Sequence, residues 1–235
     1  MAAVFLKDKI KKLLWTMRLR ETLPASAINK IEIKENNEPL VDIKEDTALF
    51  LSESLQAQPN VYLRQSVYAR LKKAQTLLPE NYFLKIYSAF RSMKEQEYRW
   101  AQKLGQNRRE HPNMSAPELE RLTKSQVADP RTGFGGHQTG GAVDVTLCRS
   151  DGTEYDMGTG YSTLSPEIKT SGKKILLTQR KNREILKMCM EKAGFINYPN
   201  EWWHYCYGDR MWAAYSKRKT CFYGLPEKER QPHPA

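Results

Sequence analysis

The sequence predicts an α+β fold, with helices and short strands arranged around one main core. Two observations carry this expectation. Stretches with helical spacing and stretches with strand alternation follow one another in mixed order. At 235 residues, the chain can bury one full core with a short appendage but hardly two large domains. Composition agrees, because 40% apolar and 28% charged residues fall in the globular range, far from the signature of disorder.

Residues 4–20 place Leu6, Ile10, Leu13, Leu14 and Met17 at helical spacing with lysines and arginines opposite, which predicts an N-terminal amphipathic helix with a basic face. Docking on the main domain is the ordinary use of such a helix, and contact with an anionic membrane surface is the alternative. Residues 31–33 and 40–43 read as short strands separated by the polar run Glu35-Asn36-Asn37-Glu38-Pro39. Residues 61–78 repeat apolar side chains at Leu63, Val67, Leu71, Ala74 and Leu78 and stop before Pro79, which predicts a helix of about five turns.

Residues 83–90 alternate and are expected to form a buried strand that delivers Arg91 at its end. Ser92 and Glu95 then make a capping box for a helix running to about Leu104. The polar stretch 106–132, with Pro112, Pro117 and Pro130, predicts a surface excursion holding a short helix at 116–122. A glycine-rich turn, Gly133-Phe134-Gly135-Gly136, feeds a strand at 142–147, and residues 150–173 read as a loop over the site. A helix at 181–193 ends at Gly194, and the last strand is expected near 201–207. The domain division is 1–22 for the basic helix, 23–224 for the main domain and 225–235 for a polar tail.

The net charge of +11 favours contact with something anionic, whether nucleic acid, membrane surface or cell-wall polymer. The positive residues are scattered and not interleaved with a nucleic-acid motif, so a solvated basic face and no specific nucleic acid are expected. Cys148, Cys189, Cys206 and Cys221 form no CxxC pair and read as free thiols in a reducing compartment. Lys7, Lys9, Lys11 and Lys12 interrupt any signal-peptide core, and no transmembrane span is apparent. The expected location is cytoplasmic, with periplasmic placement by an unconventional export route as the alternative.

Metal-assisted hydrolysis needs three protein ligands, an open coordination position, a carboxylate to take a proton, and a cation or donor for the oxyanion. The segment HQTGGAVD supplies the imidazole of His137 and the carboxylate of Asp144, while EWWHY supplies Glu201 and His204. Glycines between the first pair let the chain curl so that both side chains meet one ion. A regular strand would point Glu201 and His204 to opposite faces, so service to one metal requires a bend between them.

HQTGGAVDVTL fits the pattern His-x-x-Gly-x-Ala-x-Asp and EWWHY fits Glu-x-x-His, and in both the chain resembles the D-alanyl-D-alanine dipeptidases. These belong with the peptidoglycan-cleaving zinc peptidases that share a fold with Hedgehog domains. YLRQSVYARLKKAQTLLP, YSAFRS, DMGTG, AGFINYPNEWWHY and YGDRMWAAY follow the family's order, so the resemblance spans about residues 40 to 224. It implies a small, mainly antiparallel sheet carrying a zinc site and flanked by helices. It also implies one Zn2+ per chain held by His137, Asp144 and His204, with Glu201 as general base and later general acid. Arg91 would polarise the scissile carbonyl and stabilise the oxyanion. The implied substrate is a small D,D-peptide, D-alanyl-D-alanine, with peptidoglycan fragments as a wider class. Trp202 and Trp203 read as core and pocket wall, His111 and His233 as surface residues, and Tyr161 as a loop residue able to line the pocket.

Two places depart from the family pattern. Well-known members carry a serine two residues before the first zinc histidine and an aspartate on the loop, both holding the substrate's ammonium; here those places are Gly135 and, in an ungapped alignment, Ser162. A hydroxyl anchors a cation less strongly than a carboxylate. Either Asp156 or Glu154 takes over amine recognition, or the site accepts longer stem peptides as a D,D-carboxypeptidase. The non-enzymatic alternatives are a metal-binding module without turnover and a basic membrane-surface binder, against which the retention of Glu201 and Arg91 argues.

Overall fold

A computed structural model of the chain describes residues 22–132 and 135–230. The basic helix expected at 4–20, His233 and the end of the polar tail lie outside the described residues. The first third forms α1 (Ala25–Asn29), β1 (Glu32–Ile33), β2 (Leu40–Asp42), β3 (Phe50–Leu51), α2 (Glu53–Gln56), β4 (Tyr62–Arg64) and α3 (Gln65–Thr76). The middle forms β5 (Phe83–Ser88), α4 (Met93–Glu110), α5 (Ala116–Lys124), α6 (Gly136–Thr139) and β6 (Ala142–Cys148). The last part forms α7 (Leu177–Lys192), β7 (Ile196–Asn197), β8 (His204–Cys206), α8 (Arg210–Tyr215), β9 (Thr220–Cys221) and α9 (Glu227–Arg230).

A five-stranded sheet in the order β3-β5-β6-β8-β7 occupies the centre. Only the β3–β5 pair is parallel, so the sheet is mainly antiparallel as expected. All seven residues of β6 are buried, because elements cover both of its faces. Val143, Val145 and Leu147 enter the larger core with Leu71 of α3, Leu84 and Ile86 of β5, Leu186 of α7, and Trp202. Ala142 turns the other way, into a smaller cluster with Ile196, Cys206, Trp212 and Cys221. Asp144 shares that second face by the two-residue period of a strand. The register sets Asp144 opposite Ser88 on one side and opposite His204 on the other.

Several boundaries differ from the sequence expectation for physical reasons. The helix expected from residue 61 begins at Gln65, because 62–64 pair as β4 with β2, Leu63 opposite Val41. Leu63 and Val67 are four apart, a spacing that satisfies a helical turn and an even strand interval alike. Helix α4 continues to Glu110 rather than ending near 104, and its buried side chains include Gln96 and Asn107 as well as Trp100. Polar burial of that kind removes the apolar periodicity that would have signalled the extra turns. Helix α7 starts at Leu177, four residues earlier than expected, and Gly194 takes the positive φ of 102° that its capping role requires.

The turn that presents the central strand is held from behind. Gly140, at φ 73°, ends α6, and the buried Arg64 donates from Nε to Thr139 O (2.8 Å) and from Nη2 to Gly224 O (3.1 Å). After Gly224 the chain folds back, and Glu229 of α9 accepts from the backbone N–H of Met93 (2.9 Å) at the start of α4. Among the described residues no helix is long and apolar enough to cross a membrane.

Candidate metal centre

His137 lies on the single turn of α6, Asp144 on β6 and His204 at the first position of β8. Their ligating atoms all fall within 4.8 Å of one another, and the three residues are at most 8% exposed. His137 Nδ1 stands 2.8 Å from the carbonyl oxygen of Ala89. A carbonyl can only accept, so Nδ1 carries the proton and the lone pair of Nε2 faces Asp144 Oδ2 at 3.3 Å. His204 presents Nδ1 to Asp144 Oδ1 at 2.9 Å. Two imidazoles and one carboxylate, buried and convergent, make a donor set able to hold a metal ion, and their chemistry suits zinc.

Electrostatics bind the cluster together. Burial alone would raise the Asp144 carboxyl, but the two imidazoles outweigh it and hold the group far below the usual carboxylate range. Burial pushes His137 below the ordinary imidazole value. For His204 burial acts in the same direction, yet the hydrogen bond and charge of Asp144 overcome it and the net shift is upward. Tyr161 donates its hydroxyl to Asp144 Oδ2 (3.1 Å), stacks on Tyr87 (4.5 Å between ring centroids) and meets the Trp203 ring edge-on (5.6 Å).

The bend that the sequence could not supply comes from Asn197. Its Nδ2 donates to the carbonyl oxygens of Glu201 and His204 (3.1 Å each), and its Oδ1 accepts from Thr170 Oγ1 (2.6 Å). Backbone bonds from Glu201 N to Tyr198 O and from Tyr198 N to His204 O close the same loop. The last strand is therefore shorter than the expected 201–207, and Glu201 sits in the β7–β8 connection rather than on a strand. Burial raises the Glu201 carboxyl, with the charge of Asp144 acting the same way and those of His204 and Arg91 opposing it. A carboxyl raised in this way is suited to exchanging a proton.

Arg91 follows β5 directly, and its backbone N–H donates to His137 O (3.1 Å). Its Nη1 donates to Gln96 Oε1 (2.9 Å) and its Nη2 to Ser88 Oγ (3.0 Å), leaving Nε buried and without a partner. Burial is the main cause that lowers the guanidinium from its usual value, with Asp144 and Tyr161 acting in the opposite direction. The group remains a cation at any working pH.

Of the five residues singled out from the sequence, His137, Asp144 and His204 come together in one cluster, Arg91 bonds through its backbone to the His137 turn, and Glu201 lies in the connection that leads to His204. Tyr161, expected only to line the pocket, bonds to Asp144, while Gln96, Ser88 and Asn197 were not anticipated. Trp202 and Trp203 are core residues as expected, Trp202 also donating to Thr159 Oγ1 of the loop (2.9 Å). The acids offered for amine recognition are engaged elsewhere. Glu154 pairs with Lys85 (2.9 Å) and accepts from the Tyr87 hydroxyl, and Asp156 accepts from Gly158 N (2.7 Å) and Gln179 Nε2 (2.8 Å). Cys206 is buried beside Ile196 and outside the ligand cluster, and His111 is exposed at the end of α4.

A family model described as D-ala-D-ala dipeptidase matches residues 46–224. The D-alanyl-D-alanine dipeptidase of Synechocystis sp. is 37% identical over 109 residues, 39% of this chain and 44% of the relative. That of Enterococcus faecalis is 33% identical over 96 residues, 40% of this chain and 45% of the relative. The matched stretches thus span less than half the length of these curated relatives. Among solved structures, a mutant of the vancomycin resistance D,D-pentapeptidase VanY in complex with Zn(II) superposes with a TM-score of 0.46 at 14% identity, covering 86% of this chain and 95% of that one. VanYB in complex with D-Alanine-D-Alanine gives 0.43 at 14% identity, covering 80% and 93%.

Proposed function

The chain belongs to the D-alanyl-D-alanine dipeptidase family, and from that premise we propose that it is a zinc peptidase that hydrolyses D-alanyl-D-alanine to D-alanine. The observation that carries the reading is the convergence of His137, Asp144 and His204 within one buried cluster that also feels Glu201 and Arg91. These residues fit zinc, because the Ala89 carbonyl fixes His137 in the tautomer that offers Nε2 and the third donor is a carboxylate held ionised. Zinc, when bound, supplies Lewis acidity that makes water a nucleophile near neutral pH and polarises a carbonyl.

The chain's own residues supply the rest. A carboxylate oxygen of Glu201 takes a proton from the attacking water and returns it to the leaving amine nitrogen. Arg91 holds the carbonyl oxygen and carries the charge that develops there. Tyr161, Tyr87 and Trp203 form an aromatic wall that excludes bulk water from one side. Residues 23–224 are the catalytic unit in this reading, and contact of the basic segment 4–20 with anionic vesicles is testable by its loss at high salt. Four buried free thiols suit a reducing compartment such as the cytoplasm. Purified zinc-loaded protein is expected to release D-alanine from the dipeptide and to stop when a chelator is added. Release that continues undiminished after complete removal of zinc would sink the proposal.

A second reading, a D,D-carboxypeptidase acting on peptidoglycan stem peptides, is favoured by the commitment of Glu154 and Asp156 to other partners. Comparing the free dipeptide with its N-acylated form separates the two, and strong preference for the free amine removes the second.

A further inference from the structure

The guanidinium of Arg91 is held by a side chain to which the catalytic scheme gives no role. Gln96, in the first turns of α4, is only 3% exposed. Its Oε1 accepts from Arg91 Nη1 (2.9 Å) and from Gln138 Nε2 (3.2 Å), and its Nε2 donates to the carbonyl oxygen of Ala128 (2.7 Å). A guanidinium can only donate and a carbonyl can only accept, so these neighbours dictate which way the amide faces. Gln138 directly follows the ligand His137, and its own Oε1 accepts from Gly135 N (2.9 Å). One buried amide therefore ties together the oxyanion arginine, the turn bearing the first histidine ligand, and the end of the α5 excursion.

We propose that Gln96 is the positioning residue for Arg91, acting through the guanidinium and not by touching substrate. The chemistry of the side chain matters as much as its place. An amide oxygen holds the guanidinium without neutralising it, leaving its full charge for an oxyanion, whereas a carboxylate at the same place would offset that charge. Ser88 Oγ, the other acceptor, is neutral as well. The consequence for turnover rests on the zinc-peptidase reading; the ordering of Arg91 does not.

The test is a double-mutant cycle together with side-chain NMR on the full chain. Gln96→Met, which keeps the volume and removes all three side-chain hydrogen bonds, is expected to lower kcat about tenfold with KM changed less than about threefold. In the Arg91→Ala background the same substitution is expected to change kcat less than about twofold, because the residue through which it acts is gone. The Arg91 Nη–H signals, which include the proton that Gln96 Oε1 accepts, should be protected from exchange in the parent protein and weakened by Gln96→Met. Gln96→Glu is the second variant should the first fold poorly: it should keep those signals and still lower kcat. An equal loss in the presence and absence of Arg91, or an unchanged Arg91 signal in Gln96→Met, overturns the proposal. If the parent protein turns over no peptide, the functional reading falls, and the NMR comparison still decides whether Gln96 holds Arg91.

Discussion

Asp144 is the residue on which the site turns, since both histidines and Tyr161 converge on its two oxygens. Tyr161→Phe removes only the hydroxyl that donates to Oδ2. Outer hydrogen bonds of this kind orient a ligand, so zinc affinity should fall roughly 10- to 100-fold. Competition against a chelating dye measures it, and an affinity unchanged within about twofold would show that Tyr161 is only a wall. The cluster of His137, Asp144 and His204 was legible through the resemblance of two motifs to a known family, since residue types and spacing alone are weak evidence of a shared site. Gln96 was not legible, since a buried glutamine leaves no apolar rhythm and its partners lie on three separate segments. Nor was the His137 tautomer, which a backbone carbonyl sets.

At the scale of elements, the β7–β8 connection decides whether Glu201 and His204 serve one centre. Asn197→Ala would remove one of the hydrogen bonds at each of the Glu201 and His204 carbonyls and the acceptor of the Thr170 hydroxyl, at a cost of about 1–3 kcal/mol in stability. Denaturant unfolding should record that loss, and activity should fall more steeply than stability because Glu201, the base in the proposed reading, is displaced. Activity retained in full would mean that the backbone bonds alone make the bend. The α4–α5 excursion offers a second test, through pH. Asp129 accepts from Arg131 and is lowered from 3.8 to about 2, that hydrogen bond being the largest cause. A carboxyl depressed on folding contributes stability above its unfolded pKa and loses it as pH falls through the folded value. Asp129→Asn should therefore destabilise the protein at neutral pH, with the gap to the parent closing between about pH 4 and pH 2; a gap independent of pH would contradict the assignment. The sequence showed this helix pair but not its length, and it placed Glu201 on a strand because a three-residue strand with a side-chain-made turn has no periodicity to read.

For the molecule as a whole, the sheet register unites pieces that are distant in sequence: Ser88, Asp144 and His204 meet across three strands. Mixed element order permitted the fold class and the family resemblance implied it, whereas register depends on pairings that no single strand encodes. A metal that binds only the folded chain stabilises it by about 2.7 kcal/mol at a hundredfold excess over Kd. For a domain of this size that corresponds to a chelator-induced drop in Tm of roughly 5–10 °C, which calorimetry with and without chelator would detect; coincident transitions would mean that no metal is held.

The central claim is that three residues hold zinc while a fourth, Glu201, moves the proton. The most direct measurement is D-alanine release by the parent protein and by Glu201→Gln, each with its zinc content determined. The account predicts one zinc per chain in both, with the rate of the variant lower by about 10²- to 10⁴-fold. Equal rates at equal zinc content would contradict it.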